Sequence, residues 1–431
     1  MSIPQHVQPT RQTMRPRAWA VLWAAALAAA VTTPARAEWA TAWAAAAQDY
    51  AQSALPLPGA VPPPALSLGG STLRQRVHPD LAGTRVRVRF SNVFGQRPLR
   101  IGAASIARST GGDAVSPASL HALRFHAGQA QVEIAPGAEA WSDPVSIATE
   151  PGQALAVSFH LDRDTPAATV HHQPLQASWI APGNAVNAPK LPAAVPTDWN
   201  HIVTGLDVDA PPSTRVVVAF GDSITEGSGA SDDLSPRPYP ERLAERLRQP
   251  AGQGGAAISV LNTGIGGNRL LKARAGPRGL DRFDRDVLAQ SGVTHVVVLI
   301  GVNDIGLGAL PDGPATSPAP QRPAAGPLTT GLQELVTRAR ARGVKVLLGT
   351  LLPFKGSGYW SEDNEATRQA VNRWIRGRQG VDAVVDFDAA MRSADDPLML
   401  NPTYDSGDHL HPNDAGNAAM AALIDARELL E

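Results

Sequence analysis

The chain has no cysteine among its 431 residues. Disulfides, cysteine-ligated zinc ribbons, iron–sulfur clusters and cysteine nucleophiles are thereby excluded, while an oxidising compartment is neither required nor ruled out. Charge bias is absent too: 38 Lys+Arg stand against 39 Asp+Glu, a formal charge of −1. That balance calls for neither nucleic acid nor an anionic membrane as partner. Aromatic residues make up only 5%, and beyond the N-terminus no apolar run approaches the ~20 residues a bilayer helix needs. Glycine (39) and proline (38) are plentiful within a composition that is 43% hydrophobic. Collagen, long coiled coils and wholesale disorder are excluded, and long loops are expected. The length suits two or three domains of roughly 100–200 residues each.

Residues 1–37 read as an export signal. Arg11, Arg15 and Arg17 precede the apolar run Ala18–Val31, and Ala35-Arg36-Ala37 supplies a small-x-small cleavage site. The run is short for a bilayer span, which disfavours a retained anchor. Cleavage would remove four arginines and no acid, leaving a formal charge of −5 on a mature chain that begins at Glu38. The expected location is the periplasm or the medium, with no membrane contact after cleavage. Met14, followed by Arg-Pro-Arg, is an alternative start.

Residues 38–210 are expected to form a β-rich, sandwich-like N-terminal domain. Val86, Val88 and Phe90 alternate with arginines, and Leu155, Val157, Phe159 and Leu161 alternate with smaller or polar residues. Turn clusters such as Pro136-Gly137 and Pro151-Gly152 separate such runs, as in antiparallel sheets. The adjacent His171-His172 then reads as a strand pair with one side chain in and one out. The Pro-rich stretch 210–214 marks the boundary.

Residues 211–431 change texture. Apolar strands over 215–220, 258–261, 295–300, 344–350 and 383–387 alternate with helical segments near 240–248, 280–290, 328–342, 362–378 and 413–430. Such alternation predicts a parallel sheet covered on both faces, with its site at the carboxyl ends of the strands. After the first strand stands Gly221-Asp222-Ser223-Ile224-Thr225. A serine on a tight strand-to-helix turn presents its hydroxyl above the sheet edge, beside a helix N-terminus, as a nucleophile requires; a plain helix cap is the other reading. Thr225 stands where the Gly-x-Ser-x-Gly elbow has its second glycine. After the second strand comes Asn262–Asn268, whose glycines let backbone approach a ligand, with Arg269 where a dinucleotide loop needs glycine. Gly301-Val302-Asn303-Asp304 follows the third strand and offers a carboxamide. Before the last helix, Asp408 and His411 stand three apart, as an orienting carboxylate and general base can. His409 lies two residues from His411, and spacing alone does not choose between them. Asp408, His409 and His411 also admit a metal reading, because His-x-His presents two imidazoles on one side of a strand.

Together these four pieces resemble the SGNH hydrolase superfamily, the GDSL-type esterases and lipases, over about residues 213–431. The resemblance implies a flavodoxin-like three-layer α/β/α domain and a serine hydrolase acting on carboxylic esters without metal or cofactor. Ser223 matches the nucleophile, His411 the base and Asp408 its partner. The Ser223 amide, Gly267 and Asn303 match the oxyanion donors, with Gly266 the alternative to Gly267. Further upstream, Ser91–Gly95, His171, Trp39, Trp43 and Tyr404–Asp408 resemble secreted bacterial SGNH proteins grouped with a xylan esterase. The expected substrate is a small-molecule or polysaccharide ester, with short O-acetyl esters of carbohydrates leading. The loop Ile305–Gly326, with Ile305, Leu307 and Leu310 as its large apolar residues, is poor in the apolar surface a lipase exposes, and it is expected to act as a selectivity lid. A lipase or arylesterase, or a non-catalytic carbohydrate-binding protein on a hydrolase scaffold, are the alternatives.

Overall fold

The apolar runs of the C-terminal half become parallel strands. In the computed structural model, among the described residues, they form a five-stranded sheet in the order Ile258–Asn262, Arg215–Gly221, Val293–Leu299, Lys345–Gly349 and Ala383–Val385. Every pair in it is parallel. Val216–Phe220 is buried throughout, as a strand covered on both faces must be. Helices pack in two groups: Tyr239–Leu247 lies on Asp414–Leu423, and Ala325–Ala341 lies on Glu362–Arg376 and Gly279–Phe283.

The described residues are Met1 and 38–53, 63–172, 177–230, 237–248, 257–273, 275–308, 324–378 and 380–430. The expected signal peptide, the alternative start at Met14 and positions 309–323 of the expected lid lie outside them. The lid's ends are helical, in Val302–Gly306 and Ala325–Ala341.

The N-terminal half is strand-rich and antiparallel. Glu38–Ala44, Val203–Ala210, Gly83–Ser91 and Glu139–Trp141 make one sheet, and a second is centred on Ser71–Val77 and Leu155–Leu161. Their apolar faces meet at Phe90, which stands edge-to-face with Phe159 at 5.8 Å and Phe125 at 5.6 Å. A small third sheet, Trp199–His201, Thr169–His172 and Gln48–Asp49, reaches toward the α/β half.

Ala37–Glu431 clusters as one compact unit, and polar bonds stitch its halves together. The Thr41 amide donates to Ser291 O and the Ser291 amide to Thr41 Oγ1, both at 2.9 Å. Buried Asp207 accepts from the hydroxyls of both and from Arg87. Asp80 accepts from the amide of Val260 on the edge strand of the parallel sheet.

Local chemistry moves three expected boundaries. Asp386 caps the Ala389 amide, so the chain turns helical at Phe387–Met391 where a strand through 387 was expected. The expected last helix is two, Asp414–Leu423 and Ala426–Leu430. Ile424 between them is extended and fully buried, and Asp425 accepts from the Arg427 amide to start the second. The helix expected over 280–290 widens into a π-turn, Asp284–Leu288, with buried Asp286 between Arg282 and Arg285.

Candidate active site

Ser223 opens the four-residue helix Ser223–Glu226 directly after the first parallel strand. Asp222 ends that strand's run and caps the Ile224 amide at 3.1 Å, which fixes the turn. The turn is held from beneath by Arg282, whose buried guanidinium donates to Gly221 O (2.7 Å), Thr263 O (2.8 Å), Asn268 Oδ1 and Asp286 Oδ2 (both 3.0 Å). The same group lies 4.1 Å over the Phe220 ring. One side chain thus ties the ends of the first two strands to the π-turn.

Ser223 Oγ and His411 Nε2 are 2.8 Å apart, and His411 Nδ1 is 2.5 Å from Asp408 Oδ2. A carboxylate can only accept, so Nδ1 carries a proton and the Nε2 lone pair faces the serine hydroxyl. Asp408 Oδ1 also accepts the amides of His411 (2.8 Å) and Leu410 (2.9 Å). Partial burial pushes the Asp408 carboxyl up, but these bonds from His411 and Leu410 outweigh it and hold the group well below the usual carboxylate range. His409 takes another direction. Its backbone has φ +61°, its Nδ1 donates to Asp405 Oδ2 at 2.6 Å, and its ring lies against Gly356. The two histidines therefore serve two different carboxylates, and among the described residues no three His, Cys, Asp or Glu side chains are grouped to share an ion.

Gly267 and Asn303 join Ser223 and His411 in lining a cavity of about 370 Å³. Gly267 has φ +70°, a conformation that an L side chain would strain, so the turn after the second strand specifies glycine here. Gly266, the alternative, lines the same cavity, with its backbone packed against the Glu226 carboxyl. Asn303 Nδ2 donates to Asn268 O at 3.0 Å, and its Oδ1 accepts from Tyr359 Oη at 2.7 Å. Those two bonds fix the amide's orientation and leave its second N–H for a group in the cavity. Asp304 accepts the amides of Leu270 (2.7 Å) and Leu271 (2.9 Å), locking the third strand's loop to the second's; burial raises its carboxyl to about 6.

Sequence reasoning missed the other wall. Gln48, Ser53, Pro63, His172 and Trp199 bring the strand-rich half into the same cavity. Trp199 is stacked on His172 with centroids 4.2 Å apart and meets Tyr50 edge-on at 5.1 Å. Of the pair His171-His172, His172 faces the cavity, and His171 Nε2 lies 3.5 Å from Glu226 Oε1. Tyr359 and Glu226 were also missed. The only local signal was their neighbourhood: Glu226 falls three residues after Ser223, and Tyr359 lies in a Gly-Ser-Gly-Tyr turn.

The sequence model of the GDSL-like Lipase/Acylhydrolase family matches residues 219–419. No curated protein matches the chain. Among solved structures, an acetylxylan esterase, Axe2, of Geobacillus stearothermophilus is 21% identical over 50% of this chain and 94% of its own, with TM-score 0.36. An aryl esterase of M. smegmatis is 16% identical over 50% of this chain and 100% of its own, with TM-score 0.38. A GDSL-like lipase of Bacteroides thetaiotaomicron is 21% identical over 50% and 88%, with TM-score 0.35.

Proposed function

We propose that this chain, whose residues 219–419 match the GDSL-like Lipase/Acylhydrolase family, is an ester hydrolase with a serine mechanism centred on Ser223. The observation that carries this reading is the relay of 2.8 Å and 2.5 Å from Ser223 through His411 to Asp408 at the mouth of the parallel sheet. Ser223 Oγ attacks the ester carbonyl carbon as its proton passes to His411 Nε2, and Asp408 stabilises the imidazolium. The tetrahedral oxyanion is received by the amides of Ser223 and Gly267 and by Asn303 Nδ2. The C–O bond to the alcohol then breaks, and His411 returns the proton to the leaving oxygen. Water, deprotonated by the same imidazole, hydrolyses the acyl-Ser223 and frees the acid.

The finer reading is deacetylation of a carbohydrate. A flat indole that lines the cavity together with the polar residues Ser53 and Gln48 suits a sugar ring, whose faces are apolar and whose edges are polar. An aryl ester is the second reading, favoured by the same Trp199–His172 stack. The strand order second-first-third-fourth-fifth supports a flavodoxin-like three-layer class for residues 211–431. The Phe90–Phe159 contact supports a sandwich for the N-terminal half. Export is proposed on the sequence alone: the apolar run Ala18–Val31 and the Ala35-Arg36-Ala37 site would release a chain beginning at Glu38. The test is initial rates on acetylated xylan oligomers, acetylated glucomannan and p-nitrophenyl acetate by the purified chain. Release of acetate from the sugars at kcat/KM above that for the aryl ester supports deacetylation. The reverse order favours the arylesterase, and no hydrolysis of any refutes the serine reading.

A further inference from the structure

Glu226 ends the short helix that Ser223 begins, and its side chain turns inward with only 6% of its surface exposed. The serine mechanism gives it no part, yet its carboxyl sits under the oxyanion turn. A Cβ on Gly266 would lie 2.7 Å from Glu226 Oε2, so the carboxyl is packed directly against the backbone of that turn. On its other side, Oε1 faces His171 Nε2 at 3.5 Å across the junction with the strand-rich half. His171 Nδ1 is 2.9 Å from Ala46 O, and because a carbonyl only accepts, Nδ1 carries the ring's proton. The Nε2 edge is then a lone pair, and a carboxyl facing it must supply a proton for the contact to be attractive.

Burial favours that arrangement. It pushes the Glu226 carboxyl up to about 8, against the Gly266 amide and the Arg282 guanidinium, which pull it down, and with Asp222 adding to the rise. Burial likewise pushes His171 down to about 4, with His172 and Arg282 lowering it and the Ala46 carbonyl and Asp286 opposing. The edge between Glu226 and His171 therefore holds one proton at neutral pH and loses it in the alkaline range.

We propose that Glu226 is a positioning residue: its carboxyl, braced by His171, holds the Gly266–Gly267 turn so that the Gly267 amide stays aimed at the oxyanion. The inference rests on the serine-hydrolase reading above and extends it to the strand-rich half, which acts on the oxyanion site through His171. Glu226→Ala removes both contacts, whereas Glu226→Gln keeps an oxygen against Gly266 and a donor for His171 without a titrating proton.

The experiment is p-nitrophenyl acetate hydrolysis by the full chain and both variants from about pH 6 to about pH 10, with thermal melts alongside. Glu226→Ala should lose about 10–100-fold in kcat with KM within about twofold, as misplacement of an oxyanion donor does. Glu226→Gln should keep kcat within about threefold and lack the alkaline fall that the wild type shows near pH 8 as the carboxyl ionises. Wild-type kcat in Glu226→Ala, or an unchanged alkaline limb in Glu226→Gln, overturns the proposal. Should the alanine variant fail to fold, the glutamine pH profile decides alone. An inactive wild type would instead refute the parent reading.

Discussion

Tyr359→Phe deletes one oxygen and tests whether Asn303 is an aimed oxyanion donor. The Tyr359 hydroxyl donates to Asn303 Oδ1 at 2.7 Å in a buried setting, and burial raises its pKa far above any assay pH, so it remains a donor throughout. Without it, Oδ1 is left unpaired, and only the bond from Nδ2 to Asn268 O still orients the amide. One buried hydrogen bond is worth about 1–1.5 kcal/mol, so the aimed conformer should lose roughly that much advantage. Turnover on p-nitrophenyl acetate should fall about 5–10-fold, with KM nearly unchanged because the oxyanion exists only in the transition state. Asn303→Ala, which removes the donor, should cost about 10²–10³-fold. The double variant should be no slower than Asn303→Ala alone, since Tyr359 acts through the group that is gone. Multiplicative losses in the double variant would refute the reasoning and make Tyr359 an independent contact to substrate.

Arg282→Ala should destabilise the chain by about 3–5 kcal/mol, because it strands buried carbonyls at Gly221 and Thr263 and half-unpairs Asp286; urea melts check this, and a loss below about 1 kcal/mol would contradict it. His411→Ala should abolish turnover while His409→Ala retains at least about a tenth, since His409 is bonded to Asp405 and not to Ser223; equal loss in both would undo that distinction. Trp199→Ala should raise KM for acetylated sugars by about 3–10-fold and leave vinyl acetate, too small to reach the indole, unaffected. Equal effects on both would remove the indole from the alcohol side of the site.

The four loops that carry the site were legible because each is local: an apolar strand, then Gly, Asn or Ser at a turn whose chemistry depends on its nearest neighbours. The Asp408–His411 pair is three residues apart and readable for the same reason. What was not legible depends on partners distant in sequence. Arg282 reaches Gly221 across 61 positions, Tyr359 reaches Asn303 across 56, and His171 reaches Ala46 across 125. Nothing in the local pattern of any of these residues encodes such a partner. Trp199 and Gln48 enter the cavity only because short strands of the N-terminal half pair beside the Gly266–Gly267 turn. The missed breaks have local causes that outvote periodicity: Asp386 caps a helix where the apolar run suggested strand, and buried Ile424 interrupts a helical pattern that otherwise continues to Leu430.

The central claim, that Ser223 is the nucleophile of an ester hydrolase, is tested most directly by pairing activity with covalent labelling. Wild type and Ser223→Ala are treated with a small organophosphonate, assayed on p-nitrophenyl acetate, digested and mapped by mass spectrometry. A single phosphonylated serine, Ser223, is expected in the wild type. Ser223→Ala should take no label and lose roughly 10⁴-fold or more in turnover. The variant's thermal midpoint should stay within a few degrees of wild type, because one small hydroxyl at a cavity wall contributes little to packing. A label on any other serine, or turnover that survives in Ser223→Ala, would contradict it.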